Sequence, residues 1–439
     1  MESSNKEIAD AVKKANAARD VWQSLGLNGR AKILLKVHDQ LGKNKEQLAI
    51  IATKEMGMPI TQSLQDIDSG LNYFKWYLDN ASKYLSPEVT FEDSKAVHTV
   101  YYEPTGTAAV ISPWNFPFSN FIWGAIQNLS VGNTVVYKHD EKCTLFTKKL
   151  EEIISKCGLP KGVFSAVYGG PNVGDFLIQQ DVDIICFTGS TKVGQHIYTV
   201  AAKKLIKAVL ELGGSAPGIV FEDADIGNVL ESIYFDKFLN CGQVCDGLKR
   251  LFVHKNIFDK TVDMLKRLLE AKKVGDPENK DTEIGPLVSE KQLKTLELQV
   301  EDAISKGAKV VIGGKRPQNL KGNYYLPTLL VNIKPNMKVW TEEVFGPVLP
   351  IIPFSSESEA IALANDTKYG LGGYIFTRDN KKALRVAEKL KTNGIAVNNA
   401  TYVLPCNPFG GYKQSGIGRE HGKYGLRELC QVKVISLEK

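Results

Sequence analysis

The sequence predicts an α/β protein built from two doubly wound α/β units and a small additional β element. Three observations carry this reading. At 439 residues the chain is too long for one ordinary core and fits two domains. From residue 117 to 225, short apolar strands alternate with helix-period segments, as in a parallel sheet covered on both faces. After residue 225 the alternation resumes, which calls for a second sheet of the same kind.

Taken in order, residues 5–85 carry apolar positions three and four apart: Ile33, Leu34, Val37 and Leu41, then Leu48 and Ile51, then Ile67, Leu71 and Phe74. That is the period of amphipathic helices, punctuated here at Pro59. Over 97–112 the period becomes two. Val97, Thr99 and Tyr101, then Thr107, Ala109 and Ile111, alternate on either side of Glu103-Pro104-Thr105-Gly106, which predicts a hairpin turning there. A helix over 118–130 precedes a strand over 133–138. Helices over 144–156, 172–180 and 191–204 lead to strands over 163–168, 182–188 and 205–212, followed by a strand over 218–221. With right-handed crossovers this is a doubly wound, Rossmann-like, nucleotide-binding layout. In the second unit, helices over 226–238, 257–272, 289–306, 356–366 and 380–390 are interspersed with strands over 250–254, 309–312, 348–354, 372–377 and 394–398. The tail, 428–436, reads as one more strand.

Composition narrows the function. With 43% hydrophobic and 24% charged residues the chain is neither disordered nor a membrane protein. The net charge of +6 is spread along the chain. Pairs such as Lys203-Lys204 and Lys272-Lys273 lie in or beside mixed-charge helical segments, so they read as solvated faces rather than a nucleic-acid patch. Residues 1–20 are polar and hold no apolar signal-peptide core, and the longest apolar runs, such as 184–187 and 348–354, are far short of a membrane span. The seven cysteines are odd in number and form no Cys-x-x-Cys pair; there is no His-Glu-x-x-His. The expectation is no metal site and a reducing, cytoplasmic setting.

Five segments could carry chemistry. In Asn240-Cys241-Gly242-Gln243-Val244-Cys245 a Gly-Gln turn can expose Cys245 and its amide as a nucleophile; the alternative is a buried structural cysteine. Glu211 ends an apolar strand before Gly213-Gly214, where burial would suit it to general-base work, unless it is a solvated turn carboxylate. Asn115, held between Pro113 and Pro117, is either a donor to a developing oxyanion or the cap of the following helix. Phe187-Thr188-Gly189-Ser190 opens a helix directly after a strand, where backbone N–H groups can cradle phosphate, or a glycine can serve a tight turn. Lys138-His139-Asp140-Glu141 ends a strand and can hold ribose hydroxyls or form a charged surface turn.

The order and spacing of these segments resemble the aldehyde dehydrogenase superfamily from about residue 5 to the end. The similar stretches are Pro-Trp-Asn-Phe-Pro at 113–117, Lys138 with Glu141, Phe-Thr-Gly-Ser-Thr at 187–191, Glu-Leu-Gly-Gly at 211–214 and Gly-Gln-Val-Cys at 242–245. Val-Gly-Asp-Pro at 274–277, Glu-Glu-Val-Phe-Gly-Pro at 342–347 and Pro-Phe-Gly-Gly-Tyr-Lys-Gln-Ser-Gly-Ile-Gly-Arg-Glu at 408–420 extend the match. The overall look is that of the succinate-semialdehyde-dehydrogenase-like branch, whose nucleotide strand ends Lys-His. The resemblance implies oxidation of an aldehyde to a carboxylic acid with NAD or NADP through a thioester. Cys245 would attack, Asn115 and the Cys245 N–H would hold the oxyanion, and Glu211 would activate water. Lys138, Glu141 and Glu343 would hold the riboses, Ser190 the pyrophosphate, and Gly170 and Gly174 the adenine side. Phe345 would pack near the nicotinamide, with Trp114, Phe187, Gly189, Leu212 and Gly213 completing the cofactor site. The family fold implies a cofactor-binding domain (1–86 and 105–213), a catalytic domain (214–427) and an oligomerisation hairpin and tail strand (87–104 and 428–439). It also implies a homodimer or homotetramer.

Two departures bear on the substrate. Trp123 and Leu239 stand where semialdehyde enzymes commonly carry arginines that fork onto a carboxylate tail. A small, neutral, aliphatic aldehyde such as glyceraldehyde or lactaldehyde therefore fits the substrate pocket better than succinate semialdehyde. Asp246 directly follows the nucleophile, and its side chain is expected to point away from the sulfur, because a nearby acid would raise the thiol pKa. Glu141 disfavours a 2′-phosphate while Lys138 and Lys142 accommodate one, which leaves NAD slightly favoured. The rival readings are a coenzyme A-acylating relative, against which Glu211 argues, and a non-catalytic binding or structural relative.

Overall fold

The computed structural model, which describes residues 2–439, contains three sheets. Residues 5–85 form four helices, Asn5–Ser24, Gly26–Lys43, Lys45–Met56 and Ile60–Leu85, the last starting directly after Pro59. Their apolar stripes, including Trp22, Leu34, Val37, Leu41 and Phe74, are fully buried against one face of the first sheet and its helices. Full burial of each such side chain contributes roughly 1.5–3 kcal/mol.

The first sheet has six strands in the order Gly416–Ile417, Lys207–Glu211, Ile184–Thr188, Thr107–Ser112, Thr134–His139, Phe164–Val167. All pairs are parallel except the short Gly416–Ile417 edge. Alternation along each strand feeds two cores. Ala108, Val110, Val135 and Tyr137 face one side; Ala109, Val136 and Ile185 face the other. The strand order reverses at Thr107–Ser112, so a crevice opens beyond the carboxyl ends of that strand and Ile184–Thr188. In open α/β sheets this is where ligands bind.

The second sheet has seven strands in the order Lys309–Ile312, Thr328–Val331, Val348–Phe354, Leu248–His254, Ala216–Val220, Tyr374–Phe376, Ala396–Val397. Only the Lys309–Ile312 edge is antiparallel. Here too neighbours face opposite cores: Leu251 and Ile351 on one side, Phe252 and Ile352 on the other. The α/β class with two doubly wound sheets stands as the sequence predicts. The strand Thr328–Val331 and the helix Gly422–Glu428 have no counterpart in the sequence reading.

The third sheet is antiparallel and joins Glu88–Glu92, Ala96–Pro104 and Cys430–Glu438. It corrects the expected hairpin over 97–112. The chain does not turn back at Glu103–Gly106. Instead Ala96–Pro104 pairs with Glu88–Glu92 and the tail, and Thr107–Ser112 enters the six-stranded sheet between two parallel neighbours. A period of two says that a strand exists but not what it pairs with. The real turn is at Asp93, whose carboxylate accepts from the Lys95 and Ala96 N–H groups at 2.8 Å each. No helix is long and apolar enough to cross a membrane among the described residues.

Candidate active site

The helix Ile226–Phe238 ends in an unusual turn. Asn240, Cys241 and Gly242 take left-handed backbone in succession, with φ of 49°, 55° and 74°. Asparagine tolerates this region and glycine is at home in it. A Cβ on Gly242 would lie 2.2 Å from the Gly346 carbonyl, so no larger residue fits. Side chains then lock the turn. The Asn240 amide donates to the Asn115 carbonyl at 2.6 Å, Gln243 Nε2 donates to the Asn240 carbonyl at 3.0 Å, and Gln243 Oε1 accepts from the Val288 N–H at 3.0 Å. Cys245 emerges half-buried at the rim of a cavity, while Cys241 is fully buried.

Asn115 is 5% exposed and caps nothing. The helix Pro117–Phe121 has Phe116 at its cap, and its first free N–H groups, from Phe118 and Ser119, are taken by the Asp66 carboxylate. Asn115 Nδ2 donates to the Gln243 carbonyl at 3.0 Å, and its Oδ1 accepts from Asn120. One of its two N–H bonds remains free in a side chain that lines the cavity.

Glu211 ends its strand 3% exposed, and neither carboxylate oxygen has a hydrogen-bond partner. Burial pushes its pKa well above the usual carboxylate range. Glu420 and Asp246 push it further, while Arg419 opposes them. Burial raises Glu420 to about 7. A strap from the late chain braces the turn after Glu211: Ser415 Oγ donates to the Gly213 carbonyl at 2.7 Å, and the Leu212 N–H donates to the Ser415 carbonyl at 2.8 Å.

Cys245, Glu211 and Asn115 line one cavity of about 340 Å³, together with Trp114, Gly189, Ser190, Leu212, Gly213, Glu343, Phe345 and Trp123. Trp114 and Phe345 meet edge to face at 5.8 Å, and Lys249 Nζ sits 4.7 Å from the Phe345 ring centre. Glu343 accepts from the Gly214 N–H at 3.1 Å; a Cβ on Gly213 would lie 2.5 Å from the same carboxylate. Ser190 caps the helix Thr191–Lys204.

The remaining expected cofactor residues do not line this cavity. Lys138 is near the end of the strand Thr134–His139, Glu141 follows that strand, and Gly170 caps the helix Pro171–Gln179. A Cβ on Gly174 would lie 3.8 Å from the Lys138 side chain, and one on Gly189 would lie 2.4 Å from the Phe187 ring. These residues gather at or just beyond the carboxyl edge of the same sheet. Leu239 lines a second chamber, of about 580 Å³, and Trp123 lines both. Trp123 sits in a single π turn, Ile122–Ile126, of a type that often marks functional sites. Its buried Nε1 has no partner.

Asp246 departs from expectation. Its Oδ1 lies 4.0 Å from Cys245 Sγ, and its Oδ2 accepts from Tyr402 at 3.0 Å. The tyrosine turns the carboxylate towards the cavity rather than away from it. Burial first, then Asp246, Glu343 and Glu211, push the Cys245 thiol well above its usual range, with Lys249 opposing. Glu420 stands in a recognised stretch but was given no role from sequence, and His421 carried no signal; both line the cavity. Burial lowers His421 to about 3, so its ring is neutral beside Tyr77, whose hydroxyl lies 2.7 Å from Nδ1. Among the described residues no His, Cys, Asp and Glu cluster has a metal-holding arrangement.

Comparison with known proteins accords with this geometry. The aldehyde dehydrogenase family model matches residues 1–435. A mitochondrial succinate-semialdehyde dehydrogenase of Oryza sativa is 36% identical, over 99% of this chain and 82% of its own length. Among solved structures, an NADP-dependent enzyme of E. coli superposes with a TM-score of 0.97 at 33% identity, covering 100% of this chain and 91% of its own. Betaine aldehyde dehydrogenase of Staphylococcus aureus, in complex with NAD+, gives 0.95 at 34% identity, covering 99% and 88%. The chain belongs to the aldehyde dehydrogenase family. It is an oxidoreductase, an aldehyde dehydrogenase that uses NAD or NADP.

Proposed function

We propose that this enzyme oxidises an aldehyde to its carboxylic acid through a thioester on Cys245, hydrolysed by water that Glu211 activates. The observation that carries this reading is the convergence of Cys245, Glu211 and Asn115, from three distant stretches of chain, on one cavity. The dinucleotide fits the residues around it. Gly189 and Gly213 let the Phe187 ring and the Glu343 carboxylate pack against the backbone at this edge, and Trp114 and Phe345 offer aromatic surface at the cavity wall. Glu343 would hold the nicotinamide-side ribose, Ser190 and the start of its helix the pyrophosphate, and Lys138 and Glu141 the adenine-side ribose, beside Gly170 and Gly174. NAD is favoured because Asp140 and Glu141 stand at that end and Lys142 is already paired with both, at 3.4 and 3.8 Å. When bound, the nicotinamide accepts the two electrons the aldehyde loses.

The chain's own residues do the rest. Burial and three carboxylates hold Cys245 as a thiol, so its proton must leave as the C–S bond forms. It passes to solvent through the cavity, which leaves Glu211, basic through burial and without a hydrogen-bond partner, free for the hydrolytic step. The aldehyde oxygen takes the negative charge facing Asn115 Nδ2 and the Cys245 N–H. Once the carbon is oxidised, Glu211 removes a proton from water, the water oxygen bonds to the thioester carbon, and the C–S bond breaks; the departing sulfur takes that proton from Glu211, and the acid gives up its own to solvent and leaves as the carboxylate.

The residues divide as cofactor-binding (1–86, 105–213), catalytic (214–427) and oligomerisation (87–104, 428–439) parts. Assembly into a homodimer or homotetramer through the last of these is supported by the exposed Val432, Val434, Ile435 and Leu437 on the tail strand. The test of the reaction is acid formation from a short aliphatic aldehyde with NAD+ and no coenzyme A. The native enzyme should turn over, and Cys245→Ala should lose at least about a thousandfold in kcat. A coenzyme A requirement, or an active Cys245→Ala enzyme, would contradict the mechanism.

A further inference from the structure

The second chamber meets the catalytic cavity at Phe116, Trp123, Asp246 and Val403, which line both. A substrate whose aldehyde faced Cys245 would have this chamber beside it for its tail. Four carboxylates line it, from Asp66, Glu231, Asp236 and Asp246. Among the described residues, no lysine or arginine lines either space, and His421 is held neutral.

These carboxylates are not equivalent. Asp66 is occupied by the Phe118 and Ser119 N–H groups, and Glu231 is exposed, with Lys272 Nζ 3.9 Å away. Asp246 accepts from the Tyr402 hydroxyl and the Cys245 thiol, both neutral donors. Asp236, on the last turn of the helix Ile226–Phe238, makes no side-chain hydrogen bond or ion pair. Burial, with Asp246 adding to it, raises Asp236 to about 7. The two acids repel each other, Lys249 offsets this at Asp246 only, and a positive group between them relieves both at once. The walls suit such a group, since Trp123, Phe235, Tyr374 and Tyr402 line the same chamber and aromatic faces attract cations.

We propose that the substrate is a cationic aldehyde, with an ammonium group at the end remote from the carbonyl, seated between Asp236 and Asp246 among aromatic side chains. This rests on the aldehyde dehydrogenase reading above and goes beyond the neutral tail expected from Trp123 and Leu239. Those residues remove the grip on an anion; the chamber supplies one for a cation.

The experiment compares kcat/KM for 3-aminopropanal, butanal as the uncharged analogue and succinic semialdehyde as the anion, each with NAD+. The ammonium aldehyde should lead butanal by at least about tenfold, with succinic semialdehyde last. In Asp236→Asn the ratio of the first two should fall at least about fivefold, mainly through KM, and Asp236→Glu should restore part of it. A second measurement needs no variant: propylammonium should inhibit butanal oxidation by the native enzyme competitively, and butyrate should not. A lead for succinic semialdehyde, a ratio unmoved in Asp236→Asn, or stronger inhibition by butyrate would overturn the proposal while leaving an aldehyde dehydrogenase. Failure to oxidise any of the three aldehydes would overturn the underlying reading as well.

Discussion

At Cys245 reactivity and environment pull in opposite directions. The proposed nucleophile is the thiolate, yet burial and the carboxylates of Asp246, Glu343 and Glu211 all hold the proton on sulfur. Asp246 is the nearest, at 4.0 Å. Two unit charges at that distance interact by about 4 kcal/mol at an effective dielectric of 20. Asp246 is itself raised by burial, so only part of this acts at neutral pH. Even a quarter, about 1 kcal/mol, changes the thiolate fraction roughly fivefold. Asp246→Asn should therefore speed alkylation of Cys245 by iodoacetamide at pH 8 by about fivefold or more, with the alkylation midpoint moved to lower pH. An unchanged rate would mean that the carboxylate is already protonated or screened. At this scale the candidate site is legible in the sequence where a side chain sits in an ordered local run, as in Gly242-Gln243-Val244-Cys245 or Glu211-Leu212-Gly213-Gly214. It is not legible at Asp246, because the tyrosine that turns that carboxylate, Tyr402, is remote in the sequence. Asp236 was invisible for the same reason: the acid it faces comes from another segment, after the turn.

Among the elements, most helices after residue 117 were legible almost to the residue, whereas the breaks at Leu25 and Asn44 and the helix Gly422–Glu428 were not. The segments 191–204 and 226–238 coincide with Thr191–Lys204 and Ile226–Phe238, because a 3.6-residue period is a local property. Strands were legible as strands but not as partners, and the misplaced hairpin at 103–106 shows the difference. The strand Cys430–Glu438 carries the main consequence at this scale. It lies at the edge of its sheet with its far side unpaired, and Val432, Val434 and Leu437 are 62%, 58% and 57% exposed. A long apolar edge strand is an aggregation hazard unless another chain covers it. If subunits join here, burying Val432 and Val434 from each subunit is worth roughly 1.5–3 kcal/mol per side chain. The double substitution Val432→Glu and Val434→Glu should then shift the enzyme from oligomer towards monomer in sedimentation velocity, with its far-ultraviolet circular dichroism unchanged. An unchanged sedimentation coefficient would remove this strand from the interface.

On the scale of the whole molecule, the proposed catalytic residues come from two different sheets. Glu211 ends a strand of the six-stranded sheet; Cys245 lies three residues before a strand of the seven-stranded sheet. Asn115 follows the strand at which the first sheet's order reverses, and its hydrogen bonds to Gln243 and from Asn240 tie the two halves together. No single stretch of sequence contains this arrangement, which is why each motif alone left two readings open. The division of labour it implies is that Cys245 forms the covalent bond and Glu211 serves chiefly to release the product. The most direct test is the Glu211→Gln enzyme mixed with NAD+ and a good aldehyde substrate, quenched within seconds and digested for peptide mass analysis. One acyl group per subunit should be found on the peptide containing Cys245, with one equivalent of reduced cofactor formed rapidly and steady-state turnover slowed by about 10²–10⁴-fold. An unmodified Cys245 peptide together with undiminished steady-state turnover would contradict the account.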